Sequence, residues 1–554
     1  MSKINLLSTV VLICGLLFFT IPGHTQKNTE VKSVDIVSSY RPKIATGAKF
    51  QFLPSTPVND SSRLLLSYQP DLRVYSPSYP LSPLRPLALP LKMDPGLVDR
   101  FYVKVGYGNL KSPYAKLFFN KRNGASKGFS IAAFHQNTTG KIESQKFGQT
   151  SFSTEGFQQF KSSNIEVRGG VLFSLAQVYR YGVRTPSMLP LSNGDQFRYT
   201  NISVKSGFQT IEPTRYGIMY GGDIEAGIFS NQKGEQEKSV KLSVPLKKQL
   251  TDNWRVSLLG NAQLATIYHQ SGHSLANNVV STRLIVSHTR NLFTIQGGLQ
   301  PTWDLTGFSL LPILNGTVSI DSAKLLIQWG WEGVNQINSY QQLFTTNNWI
   351  ESPAKMLNTR TTEFYLGVKG APTSHITYQL RGGWARIKNL PLYLNDTSVL
   401  TKGNSFHVLF EPQVQRLQLV GEIRYQIADR VGIRANATIN QFADLKMQAH
   451  TWGIIPVELN LTARVEVLKD LYIDLTAFSW QGAPYLQRDG KMGRSKGSLD
   501  LSTHVEFKLN SSWRWWGQFN NLFNQTYQRW NQYPVYGFNF LTGVVFSPQA
   551  KRSR

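Results

Sequence analysis

The chain has 554 residues, 41% of them hydrophobic, with 59 Lys and Arg against 33 Asp and Glu and a formal net charge of +26. Its single cysteine, Cys14, excludes a disulfide framework and thiolate metal sites. Beyond the N-terminal leader no stretch reaches the roughly 18 consecutive apolar residues of a membrane-crossing helix, which excludes a helical membrane protein.

Residues 1–25 read as a secretory signal peptide. Lys3 supplies the positive start, 6–21 the apolar core, and Gly23-His24-Thr25 a small-residue cleavage site before Gln26. Cys14 lies inside that core, so the mature chain is expected to hold no cysteine. Ile13 is too large for the position before a lipid-modified cysteine. Residues 26–100 carry ten of the 26 prolines, among them Pro77, Pro80, Pro83, Pro86, Pro90 and Pro95. Proline fixes the backbone in an extended form and removes a donor, so this composition predicts extended chain, not a packed domain. Within it, 31–39 (Val-Lys-Ser-Val-Asp-Ile-Val-Ser-Ser) is a short segment able to pair with an edge strand.

From residue 101 the pattern changes to strands. The first is expected at 101–110. Tight turns are expected at Asn123-Gly124, Gly169-Gly170, Glu212-Pro213-Thr214, Thr251-Asp252-Asn253 and Arg290-Asn291. Five more are expected at Asp321-Ser322, Pro372-Thr373-Ser374, Ala428-Asp429-Arg430, Lys469-Asp470 and Asn510-Ser511-Ser512. They recur roughly every 32–56 residues, the length of one strand up, a loop and one strand down, so ten turns predict about 22 strands. Longer loops are expected at 137–150, 184–196, 334–358, 388–404 and 484–497.

The pattern is clearest in 404–546. In 457–467 every odd residue is apolar and every even one, from Glu458 to Glu466, is polar or small. Val431, Ile433, Ala435, Ala437 and Ile439 alternate with Gly432, Arg434, Asn436, Thr438 and Asn440. A period of two puts each set on its own face of a strand. These strands are long, and their polar face carries Arg, Glu and Lys, which suits an apolar face toward lipid and a polar face toward a wet lumen. The fold class expected is therefore all-β: a transmembrane antiparallel β-barrel of about 22 strands over 101–547, preceded by the extended segment and followed by a tail at 548–554. Lumen-facing candidates are Arg416, Arg424, Arg434, Arg464 and Lys508, interleaved with Glu422, Glu458, Glu466 and Glu506. Phe540, Thr542, Val544 and Phe546 share one face of the strand expected to close the barrel. Trp513, Trp515 and Trp516 are expected in an interface girdle.

Chemistry-bearing constellations are sparse, and no catalytic residue, metal ligand or cofactor is expected. His269 and His273 flank a glycine in a loop, with no third ligand evident. Gly106-Tyr107-Gly108 lacks the strand-loop-helix setting of a phosphate loop. Asp500, Ser502 and His504 lie on one face of one strand and read as a polar ladder, not a hydrolytic triad. The basic residues are dispersed, which argues against nucleic acid as a partner.

The segment Asn521-Leu522-Phe523-Asn524-Gln525-Thr526-Tyr527, followed by Tyr533-Pro534-Val535-Tyr536-Gly537 and the strand 538–546, resembles the C-terminal end of TonB-dependent receptors. That resemblance implies that the Asn-Leu-Phe-Asn segment forms the penultimate strand and 538–546 the closing one. The front departs from the family: in the expected mature chain only about 75 residues, 26–100, precede the first strand, too few for the usual plug. With Tyr40-Arg41-Pro42 ahead of Tyr102-Val103-Lys104-Val105-Gly106-Tyr107-Gly108-Asn109, the chain resembles a plugless group of such barrels from the Bacteroidota. The resemblance implies a cell outer-membrane receptor or transport barrel, not an enzyme. The alternative is a scaffold subunit of an outer-membrane assembly or export complex. Implied partners are outer-membrane lipid and lipopolysaccharide, an outer-membrane or periplasmic protein, and a TonB-type coupling protein through 31–39. Residues 40–100, which include Leu64, Leu65, Leu66, Leu81 and Leu84, are expected against the inner wall or periplasmic mouth in place of a plug.

Overall fold

The computed structural model describes residues 100–124, 126–182, 196–320, 325–397, 404–427, 430–487 and 489–548. The expected signal peptide, the Pro-rich segment and 31–39 lie outside the described residues, as do the turn at 321–322 and residues 428 and 429.

Twenty-two antiparallel strands form one sheet that closes on itself. The ring begins at Arg100–Gly108 and ends at Asn539–Phe546. Each strand is hydrogen-bonded to its neighbours in chain order, and the last pairs with the first from Val103↔Phe546 to Gly108↔Leu541. Closure leaves no sheet edge, the condition under which strands can sit in lipid with every backbone group satisfied. Strand lengths run from 8 residues at Trp513–Asn520 to 22 at Phe406–Ile427. Among the described residues no helix is long and apolar enough to cross a membrane.

Register fixes which side chains face which way. On the eighteenth strand, Val457–Leu468, Leu459 and Leu461 are 48% and 43% exposed. Their neighbours across the sheet, Ala437 and Ala435 on one side and Ser479 and Ala477 on the other, share that outer face. Leu417, Leu419, Ile423, Leu475 and Leu499 are likewise exposed. In water so large an apolar surface would drive association; around a closed barrel it is a belt for lipid. Aromatic side chains crowd both ends of the belt. Trp254, Phe293, Trp513 and Trp515 follow tight turns, while Trp303, Phe308, Trp331 and Trp384 lie toward the other rim. Trp516, expected among them, is instead fully buried on the inner face.

That inner tryptophan clasps the seam. Trp516 lies beside Gly543 on the last strand, and its indole N–H donates to the Val105 carbonyl at 3.2 Å. A Cβ on Gly106 would fall 2.4 Å from the indole, and one on Gly543 only 1.9 Å from the Val105 oxygen, so both positions require glycine. The Lys104 ammonium sits 4.0 Å from the same ring. On the outer side Phe546 meets Phe101 and Trp513 at 6.1 and 4.7 Å between ring centres.

The tight turns lie at one rim, with both ends of the ring. One expected turn is misplaced. Gly169-Gly170 falls inside the fifth strand, Ile165–Tyr179, opposite Gly156 and Glu155. The chain instead reverses at Lys161–Ser163, ending on Asn164 in the left-handed conformation (φ 54°). Asparagine tolerates that conformation, and its side chain bonds the Glu212 backbone on both sides. The penultimate strand also differs from expectation. It is Trp513–Asn520, and the Asn-Leu-Phe-Asn segment that follows is a loop. Asn521 and Asn524 take φ of 50° and 49°, which no strand accommodates, and Asn521 Nδ2 ties the loop to the Gln525 and Tyr536 carbonyls.

Candidate functional site

The opposite rim carries the long loops, and there the barrel is closed over. One loop follows the thirteenth strand, Leu325–Gln336, and contains a seven-residue helix, Tyr340–Thr346. Ser339 caps it by accepting from the Gln342 N–H at 3.1 Å, and the Glu237 carboxylate accepts from the Tyr340 N–H at 2.5 Å. A carboxylate at a helix N-terminus meets unsatisfied N–H groups and the positive end of the dipole. The buried face of the helix is Tyr340, Leu343 and Phe344. Phe344 rests 3.8 Å from Tyr199 between ring centres, and Phe229 meets Tyr340 at 5.4 Å.

Past the helix, Trp349 stacks on Tyr533 at 3.9 Å, and Phe406 and Tyr393 meet Trp530 at 5.4 and 5.2 Å. Trp530 and Tyr533 belong to a small hairpin, Gln528–Trp530 with Tyr533–Pro534, in the last loop. The whole forms one buried cluster drawn from the fifth, sixth, seventh, ninth, fifteenth and sixteenth strands and three loops. Burying an aromatic side chain contributes about 1.5–3 kcal/mol, so several together hold the loops down against their conformational entropy.

Polar bonds join opposite walls through this cluster. Arg180 leaves the fifth strand and Asn404 precedes the sixteenth, eleven places apart in either direction around the ring of 22. Asn404 Nδ2 donates to the Arg180 carbonyl at 3.1 Å. Arg180 pairs with Glu351 at 2.5 Å, and the Glu351 N–H donates to the Phe406 carbonyl at 2.8 Å. Tyr181 Oη donates to the Pro534 carbonyl at 2.9 Å, and Tyr533 donates to Asn404. Burial disfavours the Glu351 carboxylate, yet the Arg180 guanidinium, by charge and hydrogen bond, holds it below the ordinary glutamate range. Burial pushes Arg529 down to about 10, so it stays cationic at neutral pH, with its guanidinium over Trp530 and a bond to the Gly453 carbonyl. Tyr527 Oη fastens the last loop to Asp500 at 2.6 Å.

Below the cap, register places all five expected lumen residues on the sheet face opposite to Leu417, Leu461 and Leu475. They do not form one group. Arg416 is 2% exposed and lies 3.8 Å from Glu363, which also accepts from Arg381 at 2.6 Å. Glu332, held by Asn315 at 2.5 Å, is the cross-strand neighbour of Glu363. Carboxylates and guanidiniums alternate here, with Arg283 also within electrostatic reach of Glu332, so this layer braces neighbouring strands. The other four stand nearer the tight-turn rim. Arg424 pairs with Glu422 and lies across from Arg434; Arg464 reaches Asp474 at 3.7 Å, and Lys508 reaches Asp470 at 3.4 Å. Phe540, Thr542, Val544 and Phe546 share the outer face of the last strand.

Asp500, Ser502 and His504 share a face but are not assembled for hydrolysis. Asp500 turns to Tyr527, and His504 lies between Lys104 at 3.3 Å and Asp474 at 3.4 Å. Among the described residues no group of three His, Cys, Asp or Glu side chains could hold a metal ion. The expected loops at 334–358 and 388–404 are legible in the sequence, but the cap they build is not. The available signal was the density of Tyr, Phe and Trp at 340–349 and 527–536, residues that are costly to leave in water.

No family model matches the sequence, and no curated protein sequence matches it. Solved structures do match. The FrpB iron transporter of Neisseria meningitidis superposes with a TM-score of 0.64 at 10% identity, covering 82% of each chain. A mutant of the ferric enterobactin receptor PfeA of Pseudomonas aeruginosa, in complex with enterobactin, gives 0.64 at 10% identity over 81% of each. The ferripyoverdine receptor of the outer membrane of the same species gives 0.61 at 9% identity, covering 81% of this chain and 72% of that one. What the chain shares with these outer-membrane transporters and receptors is the fold of a closed 22-strand β-barrel.

Proposed function

We propose that the protein is an outer-membrane receptor or transport barrel, related in design to TonB-dependent receptors, whose loop-side cap meets the ligand. The observation that carries this is the closure of the mouth by loops bonded from opposite walls, in a barrel whose structural likenesses are iron transporters and siderophore receptors. A lumen this wide cannot be filled by wall side chains alone and must be stopped by other chain. The cap stops it at the loop side. Nothing at Asp500, Ser502 and His504 supports hydrolysis, so the reading is not enzymatic.

The cohesion of the cap also supports the second reading, a scaffold barrel that never conducts. Conductance in planar bilayers separates them. The receptor reading expects the native protein to be silent and the double variant Trp349→Ala, Tyr533→Ala to open large, fluctuating pores. A cap variant that remains silent and still co-purifies with envelope proteins supports the scaffold. A native protein that is a steady open pore contradicts both.

A further inference from the structure

The outer wall carries an apolar groove of about 590 Å³ on strands twelve to sixteen. The rows of the sheet explain it. At one level Trp329, Leu366, Gly382 and Leu419 stand side by side on the outer face. Gly382 leaves a gap in that row: a Cβ there would meet only Leu419, at 4.0 Å. One level toward the loop rim stand Trp331, Phe364, Trp384 and Leu417, with Trp331 and Phe364 stacked at 5.3 Å. The next level is Thr362, Arg386 and Gln415, and the one above is Arg360, Lys388 and Gln413. Successive levels are two residues, or roughly 7 Å, apart, so the cations stand about 14–20 Å from the gap.

Arg386 and Lys388 are exposed and, among the described residues, ion-paired with no carboxylate. Their neighbours are different. Arg360 is held by Asp304 at 2.5 Å, and Lys446 by Asp444 at 2.7 Å; Asp444 also accepts from Gln415 at 2.9 Å and lies within electrostatic reach of Arg386. At their tight-turn ends the same strands point Val368, Tyr378, Tyr425 and Ile427 outward, with no cation. The order from the gap to the rim is apolar groove, aromatic row, then exposed positive charge.

We propose that this face binds an anionic, phosphate-bearing lipid of the loop-side leaflet, with an acyl chain in the groove at Gly382 and phosphate oxygens on Arg386 and Lys388. The charge selects the occupant: an uncharged lipid would leave both cations unpaired, and a soluble phosphate would leave the groove empty. The site rests on the membrane reading given above.

The test uses full-length protein in detergent, titrated with a multiply acylated, phosphorylated glycolipid and with its dephosphorylated form, bound lipid being counted by native mass spectrometry. Losing two charge-assisted bonds in Arg386→Gln, Lys388→Gln weakens binding of the phosphorylated lipid by about tenfold or more, and its advantage over the dephosphorylated form disappears. Gly382→Leu fills the groove and weakens both lipids. Single Lys388→Gln gives a smaller loss of the same kind and guards against misfolding of the double variant. Equal binding of the two lipids by the native protein, or equal binding by all variants, overturns the proposal. Insertion into vesicles and heat-dependent gel migration are read on the same samples. If the native barrel does not insert, the membrane reading fails; if it inserts but does not discriminate, only this site fails.

Discussion

The two rims of the barrel are held by different physics. At the loop rim Tyr199, Phe344, Trp349, Phe406, Trp530 and Tyr533 are buried together, and bonds such as Asn404 to Arg180 span strands on opposite sides of the ring. At the tight-turn rim the links are exposed ion pairs, Glu155 with Lys205, Arg168 with Asp223 and Lys508 with Asp470, each joining strands at most two places apart. An apolar cluster with cross-mouth bonds closes an opening. Exposed neighbouring charges align strands and do little else, because water and salt screen them. The contrast puts the closure of the barrel at the loop side and leaves only local strand pairing at the tight-turn rim.

The largest expected effect is in the cap. Trp349→Ala removes the ring stacked on Tyr533 and the bond from its indole to the Tyr179 carbonyl, a loss of about 3–5 kcal/mol of local stability. Hydrogen exchange should quicken across 337–358 while the strands remain protected. If 337–358 stays as protected as before, the cluster is not what holds the loop. Next comes the contrast of the two barrel faces. Leu461→Arg should cost roughly 2–4 kcal/mol and hinder insertion, whereas Thr462→Arg, one residue on, should be tolerated. Equal folding yields in vesicles for the two would break the assignment of faces.

A smaller effect separates the rims by pH. Glu351 is held below the ordinary glutamate value, so its contribution is complete above about pH 4.3 and is lost as pH falls through its lower folded value. Acid below about pH 4 should therefore loosen 337–358, and Glu351→Gln should flatten that dependence. A variant that loosens along the same curve as the native protein would remove Glu351 from the account. Smallest of all, Arg424→Gln breaks an exposed pair and should change stability by less than about 1 kcal/mol in a denaturant titration, less still at high salt.

The sequence shows the barrel better than the cap, for physical reasons. In 457–467 one face meets lipid and the other water, so alternation is unbroken and register can be read directly. Gly169-Gly170 misleads because glycine signals a turn wherever it stands. Here Gly170 makes room instead, its missing Cβ lying 2.7 Å from the Thr154 carbonyl. Asn521-Leu522-Phe523-Asn524 misleads through resemblance, since only backbone angles reveal two left-handed asparagines in a loop. Of the expected lumen residues, the face is legible from parity alone. Which of them share a site is not, because Arg416 joins Glu363 and Arg381 through pairing over two strands, while Arg424 sits eight residues farther along its own strand. The cap has no period to read, as its aromatics come from seven separate elements.

The closure of the loop-side mouth is the central claim, and one cross-link tests it directly. A Cβ on Gly182 would lie 3.1 Å from that of Asn404, close to the spacing a disulfide requires, although the two residues flank strands on opposite sides of the ring. Cys14 is the only cysteine of the natural chain, and replacing it with Ser removes the one competing thiol. The pair Gly182→Cys, Asn404→Cys should oxidise spontaneously, resist maleimide labelling until reduced, and keep the barrel silent in bilayers. Two thiols that stay free and label at once would show that the opposite walls do not meet, and that the mouth is open.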